Sequence, residues 1–239
     1  MNDTVLTARR IHAAEASGGA SADVLYAAVT RILHEWNLGG DLLDFGAGKG
    51  RFTTELARLP RFRSVTGADI VWRPDDLPIG IDNWIVGDLN APLDVPDGAF
   101  DVIVAVEVIE HLENPRATAR EWFRLLRAGG AVICSTPNNE SWRSLLALLF
   151  RGHYAFFGPA NYPAHITALL RKDIDRLMAE AGFDTPAYYY TNHGRLPKLS
   201  LHWQAISGAV FRGVRYSDNL VAVARKPRTD HHEGPMPIQ

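Results

Sequence analysis

The chain has 239 residues, 25 Lys and Arg against 27 Asp and Glu, and a formal charge of −2. With 46% hydrophobic and 22% charged residues it can bury a core, which excludes a disordered or fibrous chain. The single cysteine, Cys134, excludes an internal disulfide and a Cys-x-x-Cys metal site.

The length fits one domain, expected over residues 1–228 with a flexible tail at 229–239. The near-neutral charge gives no broad basic field, so nucleic acid is not the expected partner. The longest apolar run, residues 145–150, is too short to span a bilayer and the first twenty residues lack a signal-peptide core, so no transmembrane segment and a cytoplasmic location are expected.

In chain order, a polar Gly/Ser-rich start leads to a lead-in helix over 21–37, with Ser21 as its cap and Leu25, Ala28, Val29 and Ile32 at helical spacing. DLLDFGAG then reads as a buried strand ending in glycines, followed by a helix with Phe52, Leu56 and Leu59 on one face. Further strands are predicted at 64–70, 83–89, 100–106 and 131–137. Between the last two, Pro115 starts a helix with Ala119, Trp122, Phe123 and Leu126 on one face, ending at Gly129–Gly130. A helix through Ile174, Leu177, Met178 and Ala181 stops at Gly182, before strands AYYYT and NLVAVAR. Strands alternating with helices imply an α/β fold, doubly wound and Rossmann-like, around a mainly parallel sheet.

Two stretches interrupt the alternation: 138–168, with Trp142, Phe150, Tyr154, Phe156, Phe157 and Tyr162, and 193–216, with Leu199, Leu201, Trp203 and Phe211. They read as a packing cap, a homodimer surface or a lid over an apolar substrate. His231 and His232 read as part of a solvated tail.

The chemistry concentrates in LLDFGAGKGRF at 42–52. Gly46, Gly48 and Gly50 after a buried strand let the chain turn sharply and a ligand approach the backbone. The spacing is neither a P-loop, since Gly50 and Arg51 follow Lys49 where Ser or Thr is required, nor the dinucleotide Gly-x-Gly-x-x-Gly. Asp44, Asp69 and Asp88 stand at successive strand ends, along the carboxyl edge where ligands bind in such sheets. Asp69 can accept two ribose hydroxyls, Asp88 an adenine amine, and Asp44 can lie near an ammonium or position the turn. Three carboxylates favour a cationic ligand over a pyrophosphate.

With these residues, FDVIVAVEVIEHLENP and LLRAGGAVICSTPN, the sequence resembles the class I S-adenosylmethionine-dependent methyltransferases over about residues 40–138, 165–184 and 219–225. The resemblance implies a seven-stranded sheet with its last strand antiparallel. It also implies S-adenosylmethionine as cofactor, contacted by Asp44, Gly46, Gly48, Asp69, Ile70, Asp88, Leu89 and Val106.

In EVIEHL a helix would let Glu107, Glu110 and His111 converge at i, i+3 and i+4. Carboxylates plus an imidazole can hold Mg2+ or Mn2+; alternatively the acids favour a helix start and the histidine packs or meets substrate. The segment looks like the ubiquinone-biosynthesis O-methyltransferases, the closest in motif style, and like the small-RNA 2'-O-methyltransferases. Resemblance to the latter adds His165 as a further ligand.

His111 or His165 is the candidate catalytic base. The same imidazole cannot both accept the proton and bind the metal. The expected function is methyl transfer to a small or lipid-like acceptor, through a hydroxyl oxygen. The alternatives are a metal-dependent RNA 2'-O-methyltransferase-like enzyme, an NAD-type oxidoreductase and a non-catalytic cofactor-binding protein.

Overall fold

The computed structural model describes residues 3–19, 21–70, 81, 83–196, 201–207 and 210–228. Leu199, the tail at 229–239 and its His231 and His232 lie outside the described residues.

The predicted buried runs form a seven-stranded sheet of β1 (Gly40–Phe45), β2 (Phe62–Asp69), β3 (Asn83–Val86), β4 (Phe100–Val106), β5 (Leu126–Pro137), β6 (Ala187–Tyr190) and β7 (Asn219–Arg225). Its order is β3-β2-β1-β4-β5-β7-β6. The pairs β1–β2, β2–β3, β1–β4 and β4–β5 are parallel, while β7 runs antiparallel between β5 and β6. This is the expected doubly wound, Rossmann-like sheet. The chain order reverses between β1 and β4, and a crevice opens at such a switch point beyond the strands' carboxyl ends.

The central strands are apolar on both faces because helices cover both. On one side α2 (Asp23–Glu35) and α3 (Arg51–Ala57) bury Leu25, Val29, Ile32, Phe52 and Leu56 against Leu42, Val104 and Ile133. On the other, α4 (Pro115–Leu125) and α6 (Arg171–Ala181) bury Trp122, Leu125, Ile174 and Met178 against Leu43, Phe45 and Ile103. Trp122 is wholly buried and meets Phe45 edge-on, with centroids 5.8 Å apart, an aromatic pairing worth about 1 kcal/mol beyond burial. Pro115 and the Asn114 side chain start α4, and Gly182 in the left-handed region ends α6.

Four local expectations differ from the structure. Residue Ala22, not Ser21, precedes the first turn of α2, whose range is Asp23–Glu35; the Ser21 N–H donates instead to the Tyr26 hydroxyl at 2.8 Å. Leu126 is the first residue of β5 rather than the last of a helix, because pairing with Phe100 takes it into the sheet at once. EVIEHL is not an α-helix. Glu107 has φ +52°, its N–H bonding back to Ser135, and only Ile109–His111 makes a single 3-10 turn.

The fourth difference is an added helix, α1 (Asp3–Ala16), where the sequence suggested only a polar lead-in. The two interrupting stretches carry α5 (Trp142–Arg151) and the short α7 (Trp203–Ser207). Among the described residues no helix is long and apolar enough to cross a membrane.

Candidate functional site

A cavity of about 530 Å³ opens at the carboxyl edge of β1, β2 and β4. All eight residues expected to contact a cofactor line it: Asp44, Gly46, Gly48, Asp69, Ile70, Asp88, Leu89 and Val106. Glu107, His111 and His165 line it too, whereas Glu110 is fully buried outside its wall.

The glycine turn is built by close packing. Gly46 (φ +87°) faces Val108, whose Cγ2 would lie 2.3 Å from an added Cβ. Gly48 (φ +55°) faces the Gly19 carbonyl oxygen, 2.5 Å from such a Cβ. The sequence suggested that these glycines make room for a ligand; at both positions the protein's own chain takes the space. Gly19, in the link between α1 and α2, also accepts the Lys49 N–H at 3.2 Å, so that link is seated on the turn.

The three carboxyl groups differ in setting. Asp44 is buried and accepts from the Thr53 hydroxyl at 2.6 Å. Burial, reinforced by the charge of Asp69, pushes it up to about 7. Asp69 accepts the Gly48 N–H at 2.7 Å, which ties the tip of β2 to the glycine turn. Asp88 lies two residues beyond β3, where Asn90 holds one of its oxygens through backbone and side-chain N–H groups, each at 3.0 Å.

The other oxygen of Asp88 pairs with Arg10 of α1. Arg10 also reaches Glu113 through Nε at 3.0 Å and Nη2 at 2.6 Å, so one guanidinium joins α1 to two loops on the rim. Leu6, Arg9, Ala13 and Ala14 of the same helix wall the cavity. This was missed in the sequence because the facing positions, from Leu6 through Arg10 and Ala14, repeat at helical spacing but are mostly charged or small. Helix periodicity is read from apolar residues, and here the face covers a cavity rather than a core.

Partly exposed ion pairs contribute only about 0.2–1 kcal/mol each. With two such pairs lost, Arg10→Ala is therefore expected to lower Tm by no more than about 8 °C. Amide exchange across residues 3–16 should accelerate about tenfold as the helix opens locally. Unchanged exchange in α1 would show that the rim contacts do not hold it.

Also on the cavity wall, the rings of His111 and His165 meet edge-on, with centroids 4.9 Å apart. His111 Nδ1 lies 2.8 Å from the Ala164 carbonyl and His165 Nδ1 lies 2.8 Å from the Phe156 carbonyl. A carbonyl only accepts, so each Nδ1 carries the hydrogen and each Nε2 the lone pair. Burial lowers both imidazoles, His111 to about 4, and both are neutral at pH 7. The Glu107 charge opposes the shift at His165, whereas the neighbouring ring adds to it at His111.

Ligating atoms of Glu110, His111 and His165 lie within 4.8 Å of one another. Both Glu110 oxygens are buried without a hydrogen-bond partner, and burial first, then the Glu107 charge, holds this carboxyl well above the usual range. The donor set and the orphaned carboxyl fit a divalent cation. Glu107 stays outside the close group, since its left-handed backbone turns it toward the cavity and its Oε1 accepts from Asn219 at 2.7 Å.

Comparison with known proteins fits this geometry. A family model described as a methyltransferase domain matches residues 20–186. The chain is 25% identical over 211 residues to a ubiquinone biosynthesis O-methyltransferase of Psychrobacter arcticus, covering 80% of this chain and 73% of that one. It is 30% identical over 162 residues to a probable S-adenosylmethionine-dependent methyltransferase of Mycolicibacterium smegmatis, covering 65% of this chain and only 56% of the relative.

Among solved structures, a Burkholderia thailandensis 1,6-didemethyltoxoflavin-N1-methyltransferase with bound S-adenosylhomocysteine superposes with TM-score 0.60 at 18% identity, covering 94% of this chain and 88% of that one. A methyltransferase from Archaeoglobus fulgidus gives TM-score 0.61 at 15% identity, covering 87% and 95%. At those identities the likeness speaks for the fold. With the family match extending over more than half of its residues, the chain belongs to the methyltransferase-domain family, as a class I S-adenosylmethionine-dependent methyltransferase.

Proposed function

We propose that this methyltransferase acts on a hydroxyl oxygen of a small or lipid-like acceptor. The observation that carries the reading is one cavity whose wall brings together carboxylates, a glycine turn and two neutral imidazoles. A cofactor lying along β1, β2 and β4 would place its ammonium near Asp44, its ribose at Asp69 and its adenine toward Asp88, between Ile70 and Leu89. The sulfonium already activates the methyl group. The protein's work is to align the acceptor oxygen and help remove its proton, with binding supplying the orientation.

His165 is assigned the proton, since the nearby Glu107 charge supports its basicity while His111, at about 4, is a weak acceptor. Similarity to ubiquinone biosynthesis O-methyltransferases supports an oxygen acceptor. The acceptor assay is direct: methyl transfer from labelled cofactor to a panel of phenols, catechols and aliphatic alcohols, against matched amines. Turnover confined to amines would refute oxygen transfer.

The unpartnered Glu110 favours a second reading, in which Glu110, His111 and His165 hold Mg2+ or Mn2+. Such an ion would lower the pKa of an acceptor hydroxyl. In that case both imidazoles serve as ligands and neither takes the proton.

The Asp44 assignment has a pH signature. A cofactor ammonium beside Asp44 favours its ionised form, so binding expels a proton and affinity rises with pH through about 7. Isothermal titration with S-adenosylhomocysteine is expected to show roughly eightfold tighter binding at pH 7.5 than at pH 6. Asp44→Asn should flatten that dependence, and a flat wild-type profile would remove Asp44 from the ammonium site.

A further inference from the structure

The two interrupting stretches differ from the rest of the molecule in both charge and surface. Nine of the eleven exposed large hydrophobic side chains among the described residues lie within 138–168 and 193–216. Two of them, Leu149 and Phe150, are adjacent, 73% and 77% exposed at the end of α5 and followed directly by Arg151. Between Glu140 and Asp173, and again between Asp184 and Asp218, the sequence holds eight Lys or Arg and no Asp or Glu. The remainder of the chain, with 17 basic against 27 acidic residues, is correspondingly negative.

The two stretches are joined. The Arg215 guanidinium lies 5.7 Å from the centre of the Trp142 ring and donates to the Glu140 carbonyl at 2.7 Å, while Asn138 donates to the Ser217 carbonyl at 2.8 Å. Arg151, Arg195 and Arg212 are exposed, and among the described residues none of their guanidinium groups has an acidic ion-pair partner.

An apolar projection within an acid-free basic region needs an occupant that is both apolar and anionic. A second copy bound through the same face would bring Arg151, Arg195 and Arg212 of one copy up against those of the other, which two-fold contact repels. RNA would answer the charge and leave Leu149 and Phe150 in water. We propose that the joined stretches dock the protein peripherally on a bilayer containing anionic lipid. Leu149 and Phe150 enter the boundary of the acyl chains, and the unpaired arginines lie near headgroup phosphates. Tyr162 and Ile166, on the first stretch, also line the cavity, so the docked face includes part of the cavity's mouth.

The test is flotation of the whole protein with phosphatidylcholine vesicles with or without about 30 mol% phosphatidylglycerol. No acceptor is present, so the result stands apart from the reading of the reaction. Wild type is expected to float with the anionic vesicles and not with pure phosphatidylcholine. The variant Leu149→Glu/Phe150→Glu, at exposed positions, should lose at least about tenfold of that partition with an unchanged circular dichroism spectrum.

Failure of the wild type to float overturns the proposal. So does equal flotation of the variant, which would mark a patch for polyanions alone. Conversion of a wild-type dimer into a monomer by the variant on gel filtration would assign the face to a second copy instead.

Discussion

Replacing Asp69 with alanine is expected to weaken S-adenosylhomocysteine binding about 100-fold while the protein stays folded. Hydrogen bonds to a charged group contribute about 1.5–3 kcal/mol each, and a carboxylate gripping two ribose hydroxyls loses both. Since about 1.4 kcal/mol is tenfold in affinity, the lower end of that range already gives two orders of magnitude. Asp69 has a second task, because it accepts the Gly48 N–H at 2.7 Å. The alanine variant frees that turn as well.

Asp69→Asn separates the two roles. Its amide oxygen can still accept the Gly48 N–H, and its loss should be nearer tenfold, reflecting the missing charge and one missing acceptor. Both are read by isothermal titration beside a thermal melt. An Asp69→Ala isotherm indistinguishable from wild type would move the ribose elsewhere in the cavity.

The parts of this molecule that were legible in the sequence are those whose signal comes from burial. Phe100–Val106 and Asn219–Arg225 are near-continuous apolar runs because both faces of the sheet are covered there, and they fall in the sheet as expected. The acids at 44, 69 and 88 were legible for a related reason: Asp44 and Asp69 lie at the carboxyl ends of β1 and β2 and Asp88 two residues beyond β3, so the strands fix the edge the acids reach.

What the sequence hid was decided by contacts between distant segments. The Leu126 side chain continues the apolar face of α4, yet pairing across to Phe100 claims it for β5. EVIEHL has good helix formers, but the Glu107 N–H is taken by Ser135 and the chain must turn at the sheet edge before any helix starts. That turn separates residues which a helix would have aligned. It sends Glu110 into the core and leaves His111 on the cavity wall, so His165 from a segment 54 positions later completes the group that Glu107 does not join.

Replacing His165 with alanine is expected to lower kcat by about 100- to 10,000-fold, the usual range for a lost general base, with cofactor affinity unchanged. Glu110→Gln then distinguishes the two readings of the imidazole pair. Burial first, then the Glu107 charge, holds Glu110 well above the ordinary carboxylate range and favours its neutral form, which glutamine matches in both charge and shape. If His165 accepts the acceptor's proton, Glu110→Gln leaves kcat within about twofold and a chelator has no effect, since Glu110 touches no reacting atom. We expect this outcome. If the three side chains hold a cation, the amide lacks the charge that binds it. Activity would then fall with chelator and by more than tenfold in Glu110→Gln, while Mn2+ binding measured by electron paramagnetic resonance would weaken in parallel. Loss of turnover in Glu110→Gln without any change in Mn2+ binding would contradict both readings and make Glu110 a structural prop for the His111 turn.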